Sequence, residues 1–211
     1  MLVGMKTHDS KNIYSQIDTH SVVNQPPPLE DTNLYTADPM LQTMLHHAGA
    51  GWAEGQAEAM GVFAGSRKAQ QLGRAANRVP PELNTFDRFG HRQDTVSFHP
   101  AYHELMATGM AHGVHHLTWT AQKQGSATAH LALEYLLTQS ESGVCCPLTM
   151  THAAVPALRH NKALADVWVP KLLSDTYDSR FLPVAEKTAA TMGMAMTEKQ
   201  GGSDVRANQT H

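Results

Sequence analysis

Met194-Ala195-Met196-Thr197-Glu198-Lys199-Gln200-Gly201-Gly202-Ser203-Asp204 ends an otherwise helix-patterned chain of 211 residues with a change of chemistry. The apolar run over residues 192–196 reads as a buried strand. A hydroxyl, Thr197, follows it, then two glycines and a second hydroxyl, Ser203. Glycine tolerates positive φ, so Gly201 and Gly202 would let backbone N–H groups converge on a phosphate oxygen. The stretch reads as an anion-binding turn after a strand. An ordinary Gly-Gly-Ser turn is the competing reading, and these residues alone leave both open.

Upstream the pattern is helical. Residues 1–23 are polar and aperiodic and read as a mobile leader, and Pro26-Pro27-Pro28 forces an extended run. Asp38-Pro39 is a helix start, with Asp38 as cap and Pro39 in the first turn. Leu41, Met44, Leu45 and Ala48 follow at helical spacing. Residues 57–76 have helical composition, interrupted by Gly61, Gly65 and Gly73. Residues 77–81 break that pattern, and 85–98 read as a polar connection. Pro100 opens a helix whose apolar face holds Tyr102, Leu105, Met106, Met110, Val114 and Leu117. Residues 127–140 are apolar on most sides and are expected to be buried. Two shorter helices are expected over 151–160 and 163–173, limited by Pro156 and Pro170. Residues 174–179 have turn chemistry. The first credible strand comes only near 191–196. The order is a helical domain over 24–185, then the opening of a β-domain over 186–211.

Composition excludes several classes. The chain is 41% hydrophobic and 17% charged with a net charge of −3, which is globular and not basic enough to bind nucleic acid by charge alone. Its two cysteines are adjacent, so no disulfide framework is implied, and that usage suits a reducing cytoplasm. No apolar stretch approaches the roughly 20 residues of a membrane helix. The start of the chain does not resemble a secretory signal.

The motif, in this order of elements, resembles the FAD-holding segment of acyl-CoA dehydrogenases. That fold is a helical domain, a β-barrel-like middle domain and a helical bundle. Most of the family carries Thr-Glu-Pro where this chain has Thr197-Glu198-Lys199, and Ala-Gly-Ser where it has Gly201-Gly202-Ser203. The variant is similar to the AidB-type branch of the family, that of the adaptive response to DNA alkylation. Asn24-Gln25-Pro26, Asn33-Leu34-Tyr35, Gly49-Ala50-Gly51-Trp52, Leu72-Gly73-Arg74, Pro80-Pro81-Glu82-Leu83, Phe98-His99-Pro100-Ala101, Cys146-Pro147-Leu148-Thr149-Met150-Thr151 and Leu172-Leu173-Ser174-Asp175 agree with that branch in order. The resemblance spans residues 22–211, the opening third of such a protein.

The resemblance implies a mostly α fold with the first strand and the FAD-binding turn of the middle β-domain at its end. It makes Met194, Ala195, Met196, Thr197, Glu198, Lys199, Gln200, Gly201, Gly202 and Ser203 the FAD-binding residues. Thr197 would sit against the flavin ring and Ser203 would reach toward the pyrophosphate. The family's catalytic glutamate belongs to the carboxy-terminal bundle, so no residue here inherits catalysis. The rest of the flavin site is expected beyond His211. A homo-oligomer, a tetramer, and DNA contacts through a carboxy-terminal domain are implied for the complete protein. Two functions follow: an FAD-dependent oxidoreductase acting on CH–CH groups, or a flavin-containing DNA-protective binding protein without a true acyl-CoA substrate.

Other residues invite chemistry and have plainer readings. Glu198 and Asp204 flank a phosphate turn, where free carboxylates would repel the ligand, so they are expected to bond backbone groups or cations. His112 and His116, like His99 and His103, have the spacing of metal ligands on one helix face, but no HExxH accompanies the fourteen histidines. Interior hydrogen-bonded histidines are the plainer account. Cys145 and Cys146 lie in an apolar run and read as buried structural thiols, on a stretch the resemblance turns toward the substrate side of the flavin. Arg67, Lys68, Arg74 and Arg78 make a mildly basic helix, read as a solvated face.

Overall fold

A computed structural model describes Thr19 and residues 23–210. The expected leader therefore lies, apart from Thr19 and Val23, outside the described residues. The helices are α1 (Pro39–His47), α2 (Glu54–Ala64), α3 (Arg67–Arg78), α4 (Pro100–Ala111), α5 (Leu117–Ala121), α6 (Ser126–Thr138), α7 (Cys145–Leu158) and α8 (Lys162–Leu172). One hairpin, β1 (Glu82–Phe86) with β2 (Arg92–Ser97), separates α3 from α4. Helix α2 packs on α6, α3 on α4 and α7 on α8. Leu45, Met60, Leu105, Met106, Met110, Leu133, Leu136, Leu137 and Leu148 form the buried centre of one core.

The helix starts follow from local chemistry. Asp38 Oδ1 accepts the Leu41 N–H at 2.9 Å, Ser66 Oγ accepts that of Ala69 at 3.1 Å, and Asn161 Oδ1 accepts that of Leu164 at 3.2 Å. The expected helical run over 57–76 is divided at Gly65-Ser66. The extended segment after the prolines lies directly on that division. Thr32 N–H bonds Gly65 O at 3.3 Å and Leu34 N–H bonds Gly61 O at 3.2 Å. A Cβ on Gly65 would stand 1.7 Å from Thr32 O, and one on Gly61 2.3 Å from Asn33 Oδ1. Both glycines are there for backbone contact, which outweighs their low helix propensity.

Several sequence expectations need correction. The helix opened by Pro100 does not run on through Leu117. It ends in a Schellman turn: Val114 N–H bonds Gly109 O at 3.1 Å, Gly113 N–H bonds Met110 O at 2.9 Å, and Gly113 has φ +75°. Val114 and Leu117 still reach the core, from the next turn and α5. Helix α6 is not buried on most sides, since Leu131 is 60% and Tyr135 50% exposed. Helix α7 begins at Cys145, before its expected start, and Pro156 and Pro170 lie inside their helices. The polar connection over 85–98 belongs mostly to the antiparallel hairpin, paired Leu83 to Val96 and Asn84 to Thr95. It closes where Asp87 Oδ1 accepts the Phe89 and His91 N–H groups.

Residues 191–196, expected as the first strand, carry no strand pairing. Their backbone is held elsewhere: Ala190 N–H bonds Lys171 O at 3.1 Å and Met192 N–H bonds Thr151 Oγ1 at 3.0 Å. Ala189, which the sequence placed with the second domain, is 1% exposed in the helical core.

Candidate functional site: a self-braced loop beside helix α7

Helix α7 is fixed from inside the core by a consequence of its proline. Pro156 has no N–H, so the carbonyl four residues earlier, His152 O, loses its ladder donor. The Trp119 indole N–H supplies it at 3.0 Å. The His152 ring stacks on Trp119 at 4.8 Å between centroids and on His130 at 4.1 Å. Its Nδ1–H donates to His115 O at 3.3 Å.

The neighbouring residue, Thr151, looks outward to the segment that leads into the motif. Its hydroxyl donates to Pro147 O at 2.7 Å and accepts the Met192 N–H. Lys171 Nζ donates to Lys187 O, adding a second tie from α8. Met150, Ala153, Ala157 and Leu158 of α7 then face Met192 and Met194 across an apolar groove of about 290 Å³.

Beyond Met194 the chain forms a loop that braces itself. Glu198 N–H bonds Gly201 O at 2.9 Å, and Asn208 Nδ2 donates to Met196 O at 2.8 Å. The Glu198 carboxylate accepts from the Thr210 hydroxyl, the Gln209 N–H and the Thr210 N–H, and those bonds hold its carboxyl below the usual range. Asp204 Oδ1 accepts the Arg206 N–H at 3.1 Å. Both carboxylates therefore serve backbone groups.

Neither Gly201 nor Gly202 takes positive φ, contrary to the reading of the turn. Gly201 is buried because Asn208 packs on it: a Cβ there would lie 1.9 Å from Asn208 Oδ1. At Gly202 a Cβ would meet nothing within 4 Å. The loop thus leaves an open approach at Gly202. Thr197, Gly202 and Ser203 are exposed, and among the described residues their N–H and hydroxyl donors have no partner within the chain. Such a row of free donors fits a ligand carrying oxygen acceptors. Met194 and Met196 beside it are 48% and 60% exposed, an apolar flank for a flat ring. Ala195, Lys199 and Gln200 complete the exposed segment. The residues present fit a flavin nucleotide on this side.

The other candidates disperse. His112 Nδ1–H donates to Thr108 O at 2.9 Å at the end of α4, while His116 Nε2 meets Asp175 Oδ1 at 2.5 Å. Their four-residue spacing thus falls across a helix break. His99 caps α4, its Nδ1 accepting the Ala101 N–H, and His103 bonds the Tyr177 hydroxyl at 2.9 Å. No group of three or more metal-ligating side chains among the described residues is arranged around a metal ion. Burial pushes the Cys145 thiol up to about 11, which keeps it protonated and unreactive, whereas Cys146 is exposed, contrary to its expected burial. Arg67 pairs with Glu30 at 2.8 Å and Lys68 with Glu104, so part of the basic helix is neutralised.

Sequence reading missed Thr151, Trp119 and the buried histidines His115 and His130. A helical proline four residues after a histidine was a usable signal for the freed carbonyl.

Residues 24–179 match the model of the adaptive response protein AidB N-terminal domain. The putative acyl-CoA dehydrogenase AidB of Escherichia coli K12 is 44% identical over 194 residues, covering 91% of this chain and 36% of that protein. Among solved structures, the apo form of Bd2924 superposes with a TM-score of 0.73 at 26% identity, over 88% of this chain and 36% of that one. Caenorhabditis elegans ACDH-11, solved in complex with C11-CoA, gives 0.69 at 25% identity, over 93% of this chain and 34% of that one. The chain thus spans about a third of the length of these relatives. It belongs to the AidB N-terminal domain family, with the helical fold of acyl-CoA dehydrogenases.

Proposed function

We propose that this chain is the amino-terminal part of an FAD-dependent, acyl-CoA dehydrogenase-like oxidoreductase acting on CH–CH groups in the response to DNA alkylation. The observation that carries the reading is the row of free donors at Thr197, Gly202 and Ser203 beside exposed methionines. The acyl-CoA dehydrogenase name of the Escherichia coli relative and the C11-CoA in the ACDH-11 complex support it.

In this reading residues 194–203 hold FAD. Bound flavin would supply the acceptor for a hydride. The Thr197 hydroxyl and the free N–H groups of the loop would donate hydrogen bonds to the bound flavin, chemistry that favours its reduced form. Ser203 and the open face of Gly202 would receive its phosphate oxygens. None of the described residues is assigned the role of catalytic base, and in this reading proton abstraction belongs to the carboxy-terminal bundle of the acyl-CoA dehydrogenase fold. We assign that protein to the cytoplasm, as a homotetramer that reaches DNA through its carboxy-terminal domain. No helix among the described residues is long and apolar enough to cross a membrane.

In the full-length protein, Thr197→Ala and Ser203→Ala should each weaken FAD retention by about 1–3 kcal/mol, the loss of one hydrogen bond to a polar or charged group. His112→Ala should leave flavin content unchanged. Flavin absorbance after gel filtration reads all three. Flavin lost by the histidine variant and kept by the two hydroxyl variants would sink the assignment.

A further inference from the structure

We infer that Thr151 is the positioning residue that sets the flavin segment against the helical domain. The inference rests on the flavin reading of residues 194–203. Thr151 is fully buried, at the middle of α7. A helical threonine commonly turns its hydroxyl proton to the carbonyl four residues earlier. Here that carbonyl is Pro147 O, at 2.7 Å. With its proton committed, Oγ1 is left as a pure acceptor. It takes the Met192 N–H at 3.0 Å. The chain of bonds runs Met192 N–H to Oγ1–H to Pro147 O, and each bond polarises the next.

Its place along the chain makes it matter. Three ties hold the incoming segment to helices α7 and α8: Lys171 Nζ to Lys187 O, Ala190 N–H to Lys171 O, and Met192 N–H to Thr151. Thr151 makes the last of them. Among the described residues, Gly193, Met194 and Ala195 have no hydrogen bond to the rest of the chain, and from Met196 the loop is braced only by itself. The loop therefore has internal shape, but its height above α7 is set at Met192.

Helix α7 can act as the reference because its middle is pinned to the core. His152, one residue on, is held through its carbonyl by Trp119 and through its ring by the stack on His130. One residue thus ties α7 to the core and its neighbour ties the motif to α7. A displacement of about 1 Å at a site of this kind is enough to cost a bound group its alignment.

The test compares Thr151→Val and Thr151→Ser. Valine keeps the bulk and leaves the Met192 N–H without an acceptor, while serine keeps the acceptor. Hydrogen exchange at the Met192 amide is followed in the 211-residue chain without flavin, and FAD affinity and flavin reduction potential in the full-length protein. We expect faster Met192 exchange in the valine variant only. We also expect its FAD dissociation constant to rise about tenfold, with a shifted potential, and the serine variant to stay within about twofold of wild type on every readout. Unchanged Met192 exchange in the valine variant overturns the inference. So does a valine variant that melts earlier yet binds FAD with wild-type affinity and potential. If the wild-type full-length protein binds no FAD, the flavin reading falls and with it the role toward flavin, while the exchange experiment separately decides whether Thr151 holds the segment.

Discussion

Burial and a missing N–H dominate at the scale of single residues. His115 and His130 are almost wholly buried, and burial, with a second histidine close to each, pushes both down to about 4. They fold as neutral rings among His116, His152, Glu134 and Asp175. The unfolded chain binds protons to them near the ordinary value of 6.5, so it gains protons first as pH falls. Their contribution to stability is complete above about pH 6.5 and is lost progressively down to about pH 4, by up to about 3 kcal/mol each. Urea unfolding across that range should show the loss, and His130→Leu should flatten it. A wild-type slope in the leucine variant would show that His130 is not the group responsible. The Trp119 bond to His152 O yields a sharper expectation. Trp119→Phe should cost about 1–3 kcal/mol from the unpaired carbonyl alone. It should cost less in a Pro156→Ala background, where the backbone at that position regains an N–H for the helix ladder. Equal costs in the two backgrounds, by denaturant titration, would disprove the substitution of one donor for another. Little of this was legible beforehand. The sequence displays fourteen histidines alike, and only the fold separates those that lose water from those that keep it.

Among elements, the starts at Asp38-Pro39 and Pro100 were legible, those at Ser66 and Asn161 were missed, and the interruptions were seen only in part. Asp38, Ser66, Asn161 and Pro100 lie at helix starts because short polar side chains and proline satisfy first-turn geometry locally. The end of α4 at Gly113 was obscured because the apolar spacing continues across it: Val114 and Leu117 remain in the core after the chain turns. The β1–β2 hairpin escaped notice because neither strand alternates strictly, and Leu83 and Val96 pair on a largely exposed ribbon. Gly65 looked like a weak point of a helix and is a contact point. Gly65→Ala should therefore lower stability by more than about 3 kcal/mol, since its Cβ would overlap Thr32 O. Gly55→Ala, in the same helix with open space around it, should instead raise stability by about 0.5 kcal/mol. Thermal melts of the pair decide it, and a mild effect at Gly65 would mean the extended segment can lift away from α2.

At the scale of the molecule, the helical unit and the motif are joined more closely than composition suggested. The motif over 194–204 stands out because it is local in sequence, while its flavin reading, with Thr197 and Ser203, is a proposal. The join was not legible, because Ala189 reaches the helical core and Met192 reaches Thr151 only through folding. A chain ending near residue 183 should consequently melt below one ending near residue 193, having lost the buried Ala189 and Ala190. The 211-residue chain, which exposes Met194 and Met196, should self-associate more than the one ending near 193 at equal concentration. Sedimentation and melting of the three chains test both statements. A clean 211-residue monomer together with equal melting of the two shorter chains would place the tail's packing elsewhere. The loop from Met196 to Thr210 has a further consequence. Its braces join residues at most about a dozen positions apart, so they close early and at small loop entropy. The conformational freedom that a disordered anion-binding segment would surrender on meeting its ligand is surrendered here during folding. Association with a phosphate-bearing molecule should then proceed in one diffusive step, without a slow ordering phase.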